Sequence, residues 1–290
     1  MAVYIQHGIP CRVFINHGIP VYTSGNFEKM FKLLNKENYL MAENFSFYKT
    51  DFKKKFGKKE SEEGLKVFRD RFDGIDTSGL FSSLGVHPYN SNQIIDYNYR
   101  LDGVLFLHNL FDAHKIYGKV IFNDFYEWTI YTLDLIKNNN LNIGIKPHPH
   151  QIPDSAKFIE IIKNDYKDLK WIDSDISNIE IFKSGIKFGI SHHGTVLSEL
   201  ADFGIVPICC APNPTSSFDF TYQAKSILEY KNLIINHHKL HPKNLNQVGS
   251  FYYMHHINKK SDYLLRSNLI NGINLKNVNR FSQSSMDLLT

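Results

Sequence analysis

Three short runs set histidine beside glycine or proline at the end of an apolar stretch, which presents an imidazole from a stiff backbone. Lys146-Pro147-His148-Pro149-His150 follows the apolar residues 141–145. Proline on both sides of His148 fixes the backbone and removes amide donors, so the ring projects from a rigid loop. Such a histidine can donate a hydrogen bond to a phosphate or a ribose, and Lys146 adds positive charge nearby. The plain alternative is a rigid strand exit carrying an exposed histidine. The second run is His192-His193-Gly194-Thr195 with Glu199. Gly194 lets the backbone approach a ligand closely, and Thr195 offers a hydroxyl together with helix-start amides, which suits a diphosphate. Glu199, four residues on, shares that helix face and can accept hydrogen bonds from ribose hydroxyls; the alternative is a capped helix with an exposed glutamate. The third run is His17-Gly18, echoed at His7-Gly8. A histidine there is a candidate general base, since its unperturbed pKa lies near neutrality, or else a structural turn residue. His108, Asp112 and His114 are spaced loosely like metal ligands, but no helix or closing ligand set accompanies them, so no metal is expected.

The elements that must hold these residues centre on 186–210, IKFGISHHGTVLSELADFGIVPICC. Residues 187–191 read as a buried strand and 192–194 as a tight turn. Thr195 reads as the N-cap of a two-turn helix with apolar residues at helical spacing, ended by Gly204. Residues 205–210 read as the next strand. Strand–turn–helix–strand is a βαβ unit, whose turn faces whatever binds beyond the carboxyl end of the strand. Upstream, 103–108 reads as a strand, 125–137 as a helix, 141–146 as a strand, about 154–165 as a helix, 170–172 as a short strand and 176–183 as helical. That alternation predicts a mainly parallel sheet with helices on both faces. Beyond it, 222–230 reads as helical, 232–235 as a brief strand and 249–271 as a helical tail.

The first hundred residues are less regular. IQHGIP at 5–10 and INHGIP at 15–20 form a near repeat, too short for a solenoid. Residues 26–56 carry amphipathic helix patterns, 57–71 read as a solvated helix and connector, and 73–100 as irregular structure. We therefore expect a partial amino-terminal domain and connector over 1–100, a Rossmann-like domain over 101–240, and a helical tail over 241–290. Composition describes an ordinary globular chain, 42% hydrophobic and 21% charged. A net charge of +4 suits an anionic ligand but falls far short of a nucleic-acid-binding stripe, so no nucleic acid partner is expected. Cys209 and Cys210 lie in an apolar strand and read as buried hydrophobes of a reducing compartment. No basic leader with a long apolar run opens the chain and no run reaches membrane-spanning length, so a soluble, cytoplasmic protein is expected.

IKPHPH at 145–150 followed by HHGTVLSELADFGIVP at 192–207 resembles the carboxy-terminal half of GT-B glycosyltransferases. The likeness is closest to bacterial capsule and surface polysaccharide biosynthesis proteins, including Kdo- and sialic-acid-type transferases with an HP motif. More distantly it extends to the CDP-glycerol glycerophosphotransferases, whose HG-I-P motif is similar to VFINHGIP at 13–20. The resemblance implies a GT-B-like α/β fold with a reduced or truncated amino-terminal domain. It implies a cytoplasmic enzyme, with peripheral association at the inner membrane or in a polysaccharide assembly complex. That enzyme would move a sugar from a nucleotide-sugar donor to a glycan or glycolipid acceptor, without metal or other cofactor. Lys146, His148, His193, Gly194, Thr195 and Glu199 would hold the donor, and His17 would activate the acceptor. HHGT stands where the glycerophosphotransferases carry a serine-rich motif. That departure disfavours polyol-phosphate transfer, which with nucleotide-sugar epimerisation is the alternative reaction; a non-catalytic nucleotide-sugar-binding or scaffold protein is an alternative class.

Overall fold

The computed structural model describes residues 48–73, 75, 100–112 and 120–258, together with the strands β1 (Arg12–Phe14) and β2 (Pro20–Tyr22). β1 and β2 pair antiparallel, with Arg12 opposite Tyr22. His17, Gly18 and their echo at His7-Gly8 lie outside the described residues, as do Cys11 and His114.

Six further strands form one all-parallel sheet: β3 (Gly103–Phe106), β4 (Ile143–Lys146), β5 (Lys170–Trp171), β6 (Phe188–Ser191), β7 (Val206–Cys209) and β8 (Tyr222–Gln223). They lie in the order β5-β4-β3-β6-β7-β8. Counted from β3, that is 3-2-1-4-5-6, an order compatible with a Rossmann-like fold. The four central strands are buried along their whole length, which is why they read in sequence as continuous apolar runs.

Helices cover both faces. Leu105, Ile143, Ile145, Ile190 and Ile208 pack against α3 (Phe125–Asn138), α4 (Pro153–Asp165) and α7 (Ile227–Ile235). Val104 and Phe106, pointing the other way by strand alternation, pack against α5 (Asn178–Lys183) and α6 (Val196–Asp202). Gly189 sets the depth of α6: a Cβ there would come within 2.5 Å of Leu200, so only glycine lets that helix lie close on β6. On the first face, Trp128 Nε1 donates to the Tyr230 hydroxyl at 2.8 Å, and Thr132 Oγ1, 2.9 Å from the same hydroxyl, donates to the Trp128 carbonyl. The Tyr230 proton therefore goes to Thr132, and every polar atom of this buried trio is satisfied.

A further layer comes from α1 (Tyr48–Lys55), α2 (Lys58–Asp70) and α8 (Gln247–Tyr252), which continues as a π-helical turn over Tyr253–Ile257. Phe52, Phe68, Phe220, Val248, Phe251 and Tyr252 form its core, with Ala201 of α6 beneath.

Two local expectations fail. Residues 57–71 are helical, but not merely solvated: Leu65, Phe68 and Phe72, at spacings of three and four, join that core and Phe68 is fully buried. Residues 232–235 are the last turn of α7 rather than a strand, burying Ile234 one turn after Tyr230, while the preceding strand is Tyr222–Gln223. A short apolar run fits either period, and helix packing decided it. Cys209 and Cys210 are buried free thiols, as their apolar surroundings suggested. Among the described residues no helix is long and apolar enough to cross a membrane.

Candidate functional site

The carboxyl ends of β4, β3 and β6 are neighbours in the sheet, and a histidine follows each one: His148, His108 and the His192-His193 pair. From β3 the chain leads to β4 on one side, and β6 borders it on the other. The β3/β6 boundary at the carboxyl edge is thus the topological switch point, where open α/β sheets bind ligands. With strands about 4.8 Å apart, the His148 loop and the 192–195 turn start roughly 10 Å from each other across the end of β3.

His108 fastens this edge. Its Nε2 lies 2.7 Å from the His193 carbonyl oxygen and 3.2 Å from Ser191 Oγ, and Ser191 donates to the same carbonyl at 2.8 Å. A carbonyl only accepts, so Nε2 carries the proton. The ring stacks on Phe125 with centroids 4.6 Å apart and planes 13° from parallel. Burial, then the neighbouring His193, pushes the His108 pKa well below the ordinary imidazole value, so the ring is neutral. Gly194 follows at φ +119°, a backbone that side chains rarely adopt, and a Cβ there would sit 3.5 Å from the His108 ring. His108 is therefore a positioning residue for the turn.

A half-buried histidine held neutral destabilises the fold in acid. The unfolded ring takes up a proton below about pH 6.5 and the folded one does not, so ν in the unfolded state exceeds ν in the native state and stability falls as pH falls. His108→Gln keeps a donor where Nε2 stands but removes the titration. We expect the wild type to lose about 1 kcal/mol more than His108→Gln between pH 7.0 and 5.5, read from urea midpoints at those two values. Parallel acid sensitivity in the two proteins overturns this account.

The predicted donor-side residues fall into two groups. His148, Gly194 and Thr195 reach the surface of the carboxyl edge, His148 half-buried and Thr195 exposed. His148 Nδ1 lies 3.1 Å from the His150 backbone nitrogen and 3.3 Å from its carbonyl oxygen; the tautomer that accepts the His150 N–H carries its proton on Nε2, free to donate. Burial lowers its pKa against the pull of the backbone hydrogen bond at His150, and the neighbouring His150 and Lys146 charges push the same way as burial. Thr195 occupies the N-cap position as its sequence suggested, but its side chain makes no capping bond.

Lys146, His193 and Glu199 lie beneath that surface. Lys146 is 3% exposed and Glu199 3%, so neither is a surface charge. Lys146 Nζ donates to the Ser174 carbonyl at 3.1 Å, and burial drives its pKa down to about 8 against the pull of Glu199, Asp175 and Asp173. Glu199 Oε2 accepts from Asn178 Nδ2 at 3.2 Å. The His193 ring is buried against those of His108 and Phe125, at 4.6 and 5.6 Å between centroids. His192 is fully buried between Phe125 and Trp128.

No protein-family model matches this chain, and no curated protein is significantly similar to it. The site therefore rests on its own geometry. Among the described residues no group of three histidines, cysteines or carboxylates is placed to hold a metal ion. Sequence reasoning set His108 aside as a loose metal-like pattern and missed the latch. The available signal was that His108 and His193 each end an apolar strand, and that a 3-2-1-4-5-6 order makes those strands neighbours.

Proposed function

We propose that the chain is a GT-B-type glycosyl transfer protein of bacterial surface polysaccharide assembly, holding a nucleotide-activated sugar at the carboxyl edge of the parallel sheet. One observation carries the reading: the proline-flanked His148 loop and the His193-Gly194-Thr195 turn share one end of the strands, on either side of the switch point. The residues that touch ligand are then His148, Gly194 and Thr195. His148 donates Nε2–H to a phosphate oxygen, Gly194 admits that oxygen close to the backbone, and Thr195 adds a hydroxyl. Lys146, His193 and Glu199 support the edge from below. Oriented donors of this kind stabilise charge as it develops on the departing phosphate. By the family resemblance, His17 takes the proton of the acceptor hydroxyl. The acceptor oxygen bonds to the anomeric carbon, the bond from that carbon to the phosphate oxygen breaks, and the nucleotide leaves as its phosphate.

A thermal-shift panel of CMP, CDP, UDP and GDP on the wild type and His148→Ala tests this. At about 100 times its Kd, the matching nucleotide adds about 2.7 kcal/mol and raises Tm by roughly 5 °C, and His148→Ala shows less than half that shift. If no nucleotide stabilises the wild type, the reading fails. Binding without turnover of any nucleotide sugar favours the non-catalytic alternative, since half of the predicted donor-side groups are buried.

A further inference from the structure

Beside the Gly194-Thr195 turn, on the side facing α2 and α8, lies a small cavity of about 60 Å³. At about 10–15 Å³ for each water-sized sphere it has room for roughly four to six atoms, the size of one tetrahedral oxyanion rather than a whole nucleotide. Its polar lining is one-sided. Arg71 comes from the turn after α2, Thr195 and Ser198 from the start of α6, Thr215 from the loop after β7, and His255 and His256 from the π-helical turn. Among the described residues no carboxylate lines it.

The arrangement is built rather than loose. Arg71 is 5% exposed, with its guanidinium carbon 5.8 Å from the centroids of both Phe68 and Tyr252. The His256 ring stacks on Tyr252 at 4.0 Å, and His255 stands edge-on to it at 4.7 Å. His255 is itself held between Phe251, stacked at 5.3 Å, and the Tyr48 hydroxyl, 3.4 Å from its Nδ1. Ser198 and Thr215 are 2% exposed, and the Thr215 hydroxyl donates to Asn213 Oδ1, which leaves Ser198 and Thr195 as the hydroxyl donors of the cavity. One permanent cation, two imidazoles and two donor hydroxyls around a space of that size form a donor set that matches a phosphate and repels an ammonium.

We propose that this cavity binds a single phosphoryl group, held by the Arg71 guanidinium and by the hydroxyls of Thr195 and Ser198. The cavity adjoins the candidate donor edge through Gly194 and Thr195, and the inference rests on the proposed function only for which molecule carries the phosphate. It brings α2 and the π-helical turn, which lie outside the βαβ unit, into the binding site.

The test is calorimetric titration of the full chain with inorganic phosphate and with CDP or UDP. Wild type binds inorganic phosphate saturably at millimolar concentration. Arg71→Gln weakens binding roughly tenfold or more, through loss of a charge-assisted pair. Because Arg71 also packs on two rings, Ser198→Ala with Thr195→Val serves as a second variant with nearly unchanged volume, and it too weakens phosphate several-fold. Circular dichroism shows which variants are folded. If saturating nucleotide abolishes phosphate binding, the phosphoryl group belongs to the nucleotide; if both bind together, the cavity takes phosphate from another source. No saturable phosphate or nucleotide binding to wild type, or unchanged affinity in both folded variants, overturns the proposal. Nucleotide binding that depends on His148 but not on Arg71 defeats this inference alone. Phosphate binding that depends on Arg71, without any nucleotide binding, defeats the donor reading alone.

Discussion

Gly64→Ala is expected to lower stability by about 3 kcal/mol or more, read as a lower urea midpoint with the slope unchanged. Helices α2 and α8 cross backbone to backbone at two glycines. A Cβ on Gly64 would stand 2.1 Å from the Gly249 carbonyl oxygen and 2.7 Å from the Tyr253 nitrogen, and one on Gly249 would stand 2.1 Å from the Ser61 oxygen. The atoms in the way belong to main chain and cannot turn aside as a side-chain end would, so relief requires the helices to separate. Separation would open the packing of Phe68 on Tyr252, whose rings are 5.0 Å apart, and would break the bond between the Ser250 and Ser61 hydroxyls. Gly185→Ala is the control. Gly185 has φ +91° but nothing within 4 Å of an added Cβ, so it carries backbone strain without collision and costs about 1–3 kcal/mol. A Gly64→Ala protein as stable as wild type would mean that the two helices do not meet at this distance. The crossing also sets Arg71 opposite His255 and His256, so Gly64→Ala should weaken phosphate binding even under conditions where the protein stays folded.

What could be read from sequence follows the range of the forces involved. The unit from β6 to β7 was legible because each part is local: apolar strand, glycine at positive φ, two helical turns, Gly204 at φ +70°, apolar strand. The Rossmann-like alternation was legible for the same reason. The pairing of β3 with β6, two strands some eighty residues apart, was not, and with it went the role of His108. Charge was the least legible property. In sequence α2 is a run of lysines and glutamates, and its apolar stripe, partly buried Leu65 and fully buried Phe68 continued by Phe72 just past its end, shows only once α8 is laid against it. Arg71 followed that run as one more surface charge, yet it is buried. Glu199 shares a helix face with Thr195 as its spacing said, but Thr195 is exposed while Glu199 lies in the core against Asn178. Position on a helix is local; depth is set by what packs on top.

The depth of Glu199 makes its replacement the second large effect, and one of stability before function. Glu199 is the foremost of the carboxylates that hold the Lys146 ammonium charged in a place where burial alone favours the neutral amine. Glu199→Gln keeps the acceptor for Asn178 but removes the charge, and should cost about 2–4 kcal/mol by leaving a buried cation undercompensated. Lys146→Met in the same background should restore much of that loss, giving a coupling energy that two independent sites would not show. Lys146 also leaves a signature in pH. Its folded pKa of about 8 lies below the ordinary value of 10.5, so between those limits the unfolded chain binds more protons than the native one. Stability supplied by this group therefore rises from pH 8 to 10.5, by about 3 kcal/mol in full, and is absent below pH 8. Subtracting the Lys146→Met profile from wild type should isolate that rise from the opposing titration of buried thiols and phenols. A flat difference would show that Lys146 titrates in the folded protein as it does in the unfolded chain, and a Glu199→Gln cost below about 1 kcal/mol would show that the two groups are not coupled. Nucleotide affinities of Glu199 variants should accordingly be measured only where those variants are shown to be folded, whereas Thr195→Val tests the ligand-facing side of the same helix without disturbing a buried charge.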